Sequence, residues 1–262
     1  MAVSSKKQKS LLIIGGGLMG LAIAHNLASK GRQVEVLSRR RSESAGFVAA
    51  GMLAPHAEGL NNDLLQLGQL SLKEIPEWIQ QIEADSGIKC GLRTCGVIVP
   101  FLTNEERDAF PNANFGQKLT RLELEQEAPQ IAKKWEAGLL FHQDGQIDNR
   151  RRLMRALEKA CVALGVHFQE GVEVLDLFHD SNQLRGVKIK NAQGQIKNLQ
   201  ANEAVLCSGA WSKQILKGIP IFPVKGQMLS LQGPKDALQR ILFGPGIYLV
   251  PREDGLIVIG AT

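Results

Sequence analysis

The chain has 262 residues, of which 44% are hydrophobic, 22% charged and 5% aromatic, with a formal charge of +5. This length allows one large or two modest domains around a sizeable core, and no apolar run approaches a membrane span. The dense basic runs, Arg39–Arg41 and Arg150–Arg152, lie far apart and carry no interleaved aromatics, which argues against nucleic-acid binding.

The polar stretch Met1–Ser10 predicts a frayed tail. Only four apolar residues separate it from the first glycines, too few for a signal-peptide core, so a cytoplasmic protein is expected. Leu11–Ile14 then predicts a buried strand, Gly15-Gly16-Gly17-Leu18-Met19-Gly20 a glycine turn, and Leu18–Ser29 a helix. That order is the one a dinucleotide site needs. Gly15 permits a sharp turn, Gly17 clears the backbone for a pyrophosphate, and Gly20 lets helix and strand approach. The N–H groups at the helix start face the diphosphate.

Gln33–Leu37 alternates after the helix stop at Gly31 and predicts the second parallel strand. Asn61–Asp85 is broadly helical, with an apolar stripe of Leu64, Leu67, Leu70, Ile75, Trp78, Ile79 and Ile82, and Pro76 should kink or divide it. Cys95–Leu102 predicts a strand, and Thr103–Ala132 a mixture of short helices and loops. Arg151–Leu164 is an amphipathic helix stopped by Gly165, followed by a third strand at Val166–Gln169. Val172–Phe178, Gly186–Lys190 and Gln195–Ala201 form a β-meander. Glu203–Cys207, Gly226–Leu231, Ile247–Pro251 and Leu256–Ala261 complete the strands. Cys90, Cys95, Cys161 and Cys207 match no zinc spacing. They are expected to be reduced, with no metal bound.

This order predicts an α/β fold: a Rossmann-like nucleotide-binding domain with a β-meander, plus a strand-rich mixed α+β substrate domain. The nucleotide-binding part is expected to be discontinuous, from residues 1–85 and 146–212, and the second domain to comprise 86–145 and 213–262. The cofactor is less settled by the residues alone. An acid normally grips the ribose about 20 residues past the glycines. Here Ser38 stands there, followed by three arginines, which would suit the 2′-phosphate of NADP. Against this, the small residues from Ala49 to Ala54 let backbone lie flat against a large planar ring.

That stretch continues as Ala50-Gly51-Met52-Leu53-Ala54-Pro55-His56-Ala57-Glu58. The glycine turn, this stretch, Leu206–Ser212, Phe222–Gln227 and Tyr248–Arg252 through Gly260-Ala261-Thr262 follow one another in an order that resembles the FAD-dependent amine oxidases of the D-amino acid oxidase and sarcosine oxidase type. Within them the chain is most similar to the glycine oxidases of thiamine biosynthesis. The resemblance implies FAD as cofactor, with Gly15, Gly17 and Gly20 forming the turn and Leu18 and Met19 giving backbone contacts to the diphosphate. It places Ser38 and Arg39 at the adenosine ribose. Ala45, Gly46, Ala50, Gly51, Met52 and Ala54 would line the rest of the nucleotide, Val174 would meet the adenine, and Gly209 would close the site. Tyr248 would lie near the substrate carboxylate, and no catalytic side chain is assigned.

The implied activity is oxidation of glycine, sarcosine or a small D-amino acid to an imine, with oxygen reduced to hydrogen peroxide, feeding synthesis of the thiamine thiazole. A homo-oligomer and a fusion to a thiazole-synthesis partner both stay open. The family's carboxylate-binding arginine, a glycine-rich flavin segment and a closing strand lie beyond Gly-Ala-Thr. The chain is therefore expected to be C-terminally truncated, and Arg252 matches a different family position. The alternative is an FAD- or NADP-binding module or fragment without oxidase turnover.

Overall fold

A computed structural model describes residues 10–129 and 131–260. The expected tail up to residue 9, and Ala261 and Thr262 of the expected last strand and motif, lie outside the described residues. The chain packs as two compact units. One comprises the residues up to Val48, Ile82–Ile88 and Met154–Val224; the other comprises Ala49–Gln81, Lys89–Leu153 and the residues from Lys225 onward. Residues 49–81, expected with the nucleotide-binding part, thus pack in the second unit.

In the first unit, β1 (Leu11–Ile14), α1 (Leu18–Ser29) and β2 (Val34–Ser38) follow one another. β1 lies between β2 and Ala204–Leu206, and His167–Glu170 pairs with the outer side of β2, all in parallel. All four side chains of β1 are buried, as expected for a strand covered on both faces. The helix Met154–Ala163 packs on α1, where the Cys161 thiol lies 3.5 Å from the Leu21 carbonyl. Burial pushes that thiol up to about 12, so it is an inert apolar filler. Glu173–Asp180, Gln183–Lys190 and Ile196–Gln200 form the antiparallel meander. Its Val187 and Ile189 join Leu12, Ile14 and Leu37 in one core.

The second unit is built on a seven-stranded mixed sheet in the order 229–232, 256–260, 247–251, 241–244, 97–101, 137–141, 117–119. Three of these strands, Gln117–Leu119, Ala137–Phe141 and Ile241–Gly244, are additions to the sequence expectation. Ala137–Phe141 is buried at every position, so it carries no alternation to read. A separate short pair joins β3 (Met52–Leu53) to Gly145–Gln146. The segment Asn62–Ser86 is one helix with Pro76 inside it, so of the two expected effects of the proline, a kink or a division, the division does not occur. Its expected stripe is also corrected: Ile79 and Ile82 are buried, but Leu64, Leu67 and Leu70 are exposed, because the first half of the helix meets the chain through Gly68 against Pro55 and Gln69 against His56 rather than through those leucines. The helix expected at Arg151–Leu164 opens instead with a wider π turn at Asn149–Leu153. Among the described residues no helix is long and apolar enough to cross a membrane.

Candidate dinucleotide site and its supporting network

Of the four glycines in the turn, the chain's own packing crowds three, Gly15, Gly16 (its Cβ would stand 2.5 Å from Arg41 Cγ) and Gly20, and leaves room at Gly17. Gly15 has φ +112, and a Cβ there would stand 2.4 Å from the Cys207 carbonyl oxygen. A Cβ on Gly20 would stand 1.9 Å from the Gly15 carbonyl oxygen. Gly17 has an ordinary φ of −79. Its Cβ would meet nothing nearer than the Ser44 Cβ at 3.5 Å. Gly17 precedes α1, contributes no side-chain cap, and the first turn of α1 holds no acidic residue. The first N–H groups of a helix lack intrahelical partners and carry its positive dipole end. This end of α1 therefore combines free backbone approach with donors and positive potential, which suits an anionic diphosphate.

The ribose end is shaped by the termini of β2 and its neighbours. Ser38 is buried at the end of β2, where its carbonyl accepts the Val172 N–H at 3.0 Å. The three arginines that would suit NADP each have a carboxylate nearby. Arg39 lies 3.9 Å from Glu173, Arg40 2.5 Å from Glu43, and Arg41 2.9 Å from Glu170 and 3.6 Å from Glu158. Arg41 also stacks 4.2 Å from the Phe168 ring centroid. Gly46 is buried, and a Cβ there would press on Met154 Sδ at 2.6 Å. Val174 sits on the first meander strand opposite Ile189. Gly209 has φ +56 with open space around its Cβ position, so its backbone conformation, and not packing, favours the glycine.

In the second unit, the stretch 50–58 is held from both ends by side chains distant in sequence. Arg252, 6% exposed, donates to the Ala50 carbonyl, to Gln146 Oε1 and to the Ile147 carbonyl, the last at 3.2 Å. Gly51 has φ +78, and a Cβ there would stand 2.2 Å from the Ile147 carbonyl oxygen. Beyond β3, the fully buried Asp144 accepts from His56 Nδ1 at 2.6 Å and from the Ala57 N–H at 2.9 Å. Gln69 Nε2 meets the other His56 nitrogen at 3.1 Å, and the His56 ring packs against Phe115 and Phe141. Asn112 Nδ2 donates to the His56 carbonyl at 3.0 Å and to the Leu60 carbonyl at 2.9 Å. Burial raises the Asp144 carboxyl above its ordinary range despite these bonds. Ala50 and Ala54 are buried in the core and Met52 packs against it.

Tyr248 lies on Ile247–Pro251, and its hydroxyl donates to Met228 Sδ at 3.2 Å. Burial, then the Glu58 charge, raises the phenol above its ordinary value. A polar cleft of about 450 Å³, lined by Arg93, Cys95, Lys235, Arg240 and Arg252 among others, is a separate feature of this unit. Among the sequence-predicted site residues, none lines it.

Residues 10–262 match the DAO family, described as FAD dependent oxidoreductases. The chain belongs to that family. Its cofactor is FAD. The chain is 39% identical over 260 residues to the bifunctional protein ThiO/ThiG of Synechocystis sp., covering 96% of this chain and 38% of that protein. It is 28% identical over 265 residues to the glycine oxidase of Bacillus licheniformis, covering 98% of this chain and 70% of that enzyme. A crystal structure of glycine oxidase from Geobacillus kaustophilus superposes with a TM-score of 0.86 at 28% identity, over 97% of this chain and 70% of that one. The chain thus spans about two fifths of the length of the ThiO/ThiG relatives it matches.

The residues at the start of α1 fit the family's cofactor. The one glycine whose Cβ the chain could accommodate is the one a diphosphate needs bare. Sequence reasoning missed Asp144, Gln69 and Asn112, and gave Arg252 and His56 no role. Asp144 lies in Gln143-Asp144-Gly145, which reads as an ordinary turn. Nothing local signals a partner 88 residues away.

Proposed function

We propose that the protein binds FAD and oxidises glycine or a similar small amine to the imine, as part of thiamine thiazole synthesis in the cytoplasm. The observation that carries the cofactor half is Gly17, a glycine that neither backbone conformation nor packing requires. The substrate half is supported by the relatives, ThiO/ThiG of Synechocystis sp. and the glycine oxidase of Bacillus licheniformis. Gly15, Gly17, Leu18, Met19 and Gly20 would hold the diphosphate, Ser38 and Arg39 the ribose, and Val174 the adenine. Ala45, Gly46, Ala50, Gly51, Met52, Ala54 and Gly209 would line the remainder, and Tyr248 the substrate carboxylate. Bound FAD would supply the redox chemistry, a two-electron oxidation of the amine with oxygen as the final acceptor, reduced to hydrogen peroxide. The chain's own residues bind and orient. The clamped stretch 50–58 offers rigid backbone, as a site needs to keep its geometry.

A second reading, FAD binding without oxidase turnover, is favoured by the Tyr248 hydroxyl, which is engaged with Met228. One experiment separates the readings: identify the nucleotide released on denaturing the purified chain, then measure peroxide on adding glycine. Flavin with glycine-dependent peroxide is the expected result. Flavin without peroxide establishes the second reading, and NADP without flavin overturns the assignment of the cofactor.

A further inference from the structure

The cleft of about 450 Å³ in the second unit takes no part in the proposed flavin site, and its size is that of a small-molecule site. Its wall carries four cations, Arg93, Lys235, Arg240 and Arg252, and two carboxylates, Asp236 and Glu253. The cations are unevenly answered. Arg240 is held by Glu127 at 2.5 Å and by the Cys95 carbonyl at 3.0 Å. Arg93 reaches Glu253 only at 4.0 Å, the limit of an ion pair. Among the described residues Lys235, Asp236 and Arg252 make no ion pair. Arg252 decides the matter. It is buried, and its guanidinium donates only to neutral oxygens, those of Ala50, Gln146 and Ile147. Its Nε is buried with no partner at all. Burial holds the group below its ordinary value. A buried charge without a counter-charge is costly to a fold. This one calls for an anion, and the cleft that Arg252 lines is where one can enter.

We propose that the cleft binds a small phosphate monoester, its phosphate held among Arg93, Lys235 and Arg252. Guanidinium forks match phosphate oxygens two at a time, and a lysine adds a mobile point charge. A phosphate monoester presents three terminal oxygens, one for each of these cations, where a carboxylate presents two. The volume exceeds what phosphate alone fills and leaves room for a small organic body. Asp236 is the free carboxylate on the wall that opposes an anion. The proposal stands apart from the flavin reading, since none of these residues belongs to the flavin site proposed above.

The test titrates glycerol 3-phosphate and glycerate into the 262-residue chain by calorimetry, with FAD in excess so that the start of α1 is occupied. Saturable binding of glycerol 3-phosphate is expected, with glycerate weaker by about tenfold or more. Lys235→Gln and Arg93→Gln should each weaken glycerol 3-phosphate about two- to fivefold, and the double variant about tenfold. Asp236→Asn removes the opposing charge and should strengthen binding about two- to fivefold. These variants lose no close ion pair and should melt with the parent, so they decide the matter even if Arg252→Gln fails to fold. Absence of saturable binding in the millimolar range overturns the proposal. So does binding indifferent to the double variant, binding of glycerate as tight as that of the phosphate, or binding seen only without FAD, which would place the phosphate at the start of α1. A chain that takes up no FAD overturns the flavin reading alone, and the charge variants still decide the cleft.

Discussion

The glycine turn at 15–20 and the stretch at 50–58 are both made of small residues, yet they are kept in shape in opposite ways. The turn is held by close backbone packing without side-chain bonds: a Cβ on Gly20 would meet the Gly15 carbonyl inside the turn, a Cβ on Gly15 would meet the Cys207 carbonyl beside it, and the turn ends in a helix start. The stretch 50–58 is shaped from outside, by the Arg252 guanidinium before β3 and by Asp144, through His56 and the Ala57 N–H, after it. The turn asks only for bare backbone where chains approach, which glycines announce in the sequence. The clamped stretch depends on particular side chains that sequence spacing does not connect to it.

The largest expected effect comes from cutting the clamp. Asp144→Ala leaves two buried donors, His56 Nδ1 and the Ala57 N–H, without an acceptor. At about 1–3 kcal/mol for each unsatisfied group, the variant should lose about 2–6 kcal/mol of unfolding free energy by urea titration. Asp144→Asn keeps an acceptor oxygen and should lose less. A cost below about 0.5 kcal/mol for Asp144→Ala, the range of ordinary surface changes, would mean that the stretch holds its shape unaided.

A smaller effect separates the glycines within the turn. Gly20→Ala places a methyl 1.9 Å from the Gly15 carbonyl oxygen, so α1 must shift. Overpacking of this kind costs about 1–3 kcal/mol. Gly17→Ala meets only Ser44, at 3.5 Å, and should leave unfolding within about 0.5 kcal/mol of the parent while weakening FAD binding. Thermal melts and FAD titrations on both variants check this. If Gly17→Ala destabilises the nucleotide-free chain as much as Gly20→Ala, the turn is a structural feature throughout and Gly17 is not reserved for a ligand.

The same contrast explains what was legible in the sequence. β1, the glycine turn and α1 are adjacent, each with its own period or punctuation, and the parallel strands beside β1 follow their turns in order. Ile247–Pro251 could be read because it is a short apolar run bounded by Gly246 and Arg252. Ala137–Phe141 could not, because burial on both faces removes the alternation. The exposed Leu64, Leu67 and Leu70 mislead in the other direction, since apolar spacing shows which residues share a helix face and not whether anything covers it. Small residues marked the stretch 50–58, but not its clamp. His56 and Asp144 stand 88 positions apart, and Arg252 and Ala50 stand 202 apart.

The smallest effect is a pH dependence that belongs to the clamp and not to the turn. Burial raises the Asp144 carboxyl above its ordinary value of 3.8, and the Asp144 charge helps to raise Glu58 as well. An acid whose folded value lies above its unfolded one binds more protons in the native state between the two. Stability therefore falls as pH rises through that window. The stabilising contribution of the neutral carboxyl is fully present below 3.8 and is lost as pH climbs past the folded value. Other carboxylates run the opposite way, among them Asp108, held down to about 2 by its bonds to Arg107 and Lys118, so the parent's total curve is a mixture. The difference between Asp144→Asn and the parent isolates the one group. Asparagine does not ionise, so the deficit of the variant should narrow as pH rises from about 4 to about 6, above the range of unperturbed aspartate. Urea midpoints for the two proteins across that range measure it. Parallel curves would mean that Asp144 is ionised at no net cost throughout, its bonds to His56 and Ala57 offsetting its burial.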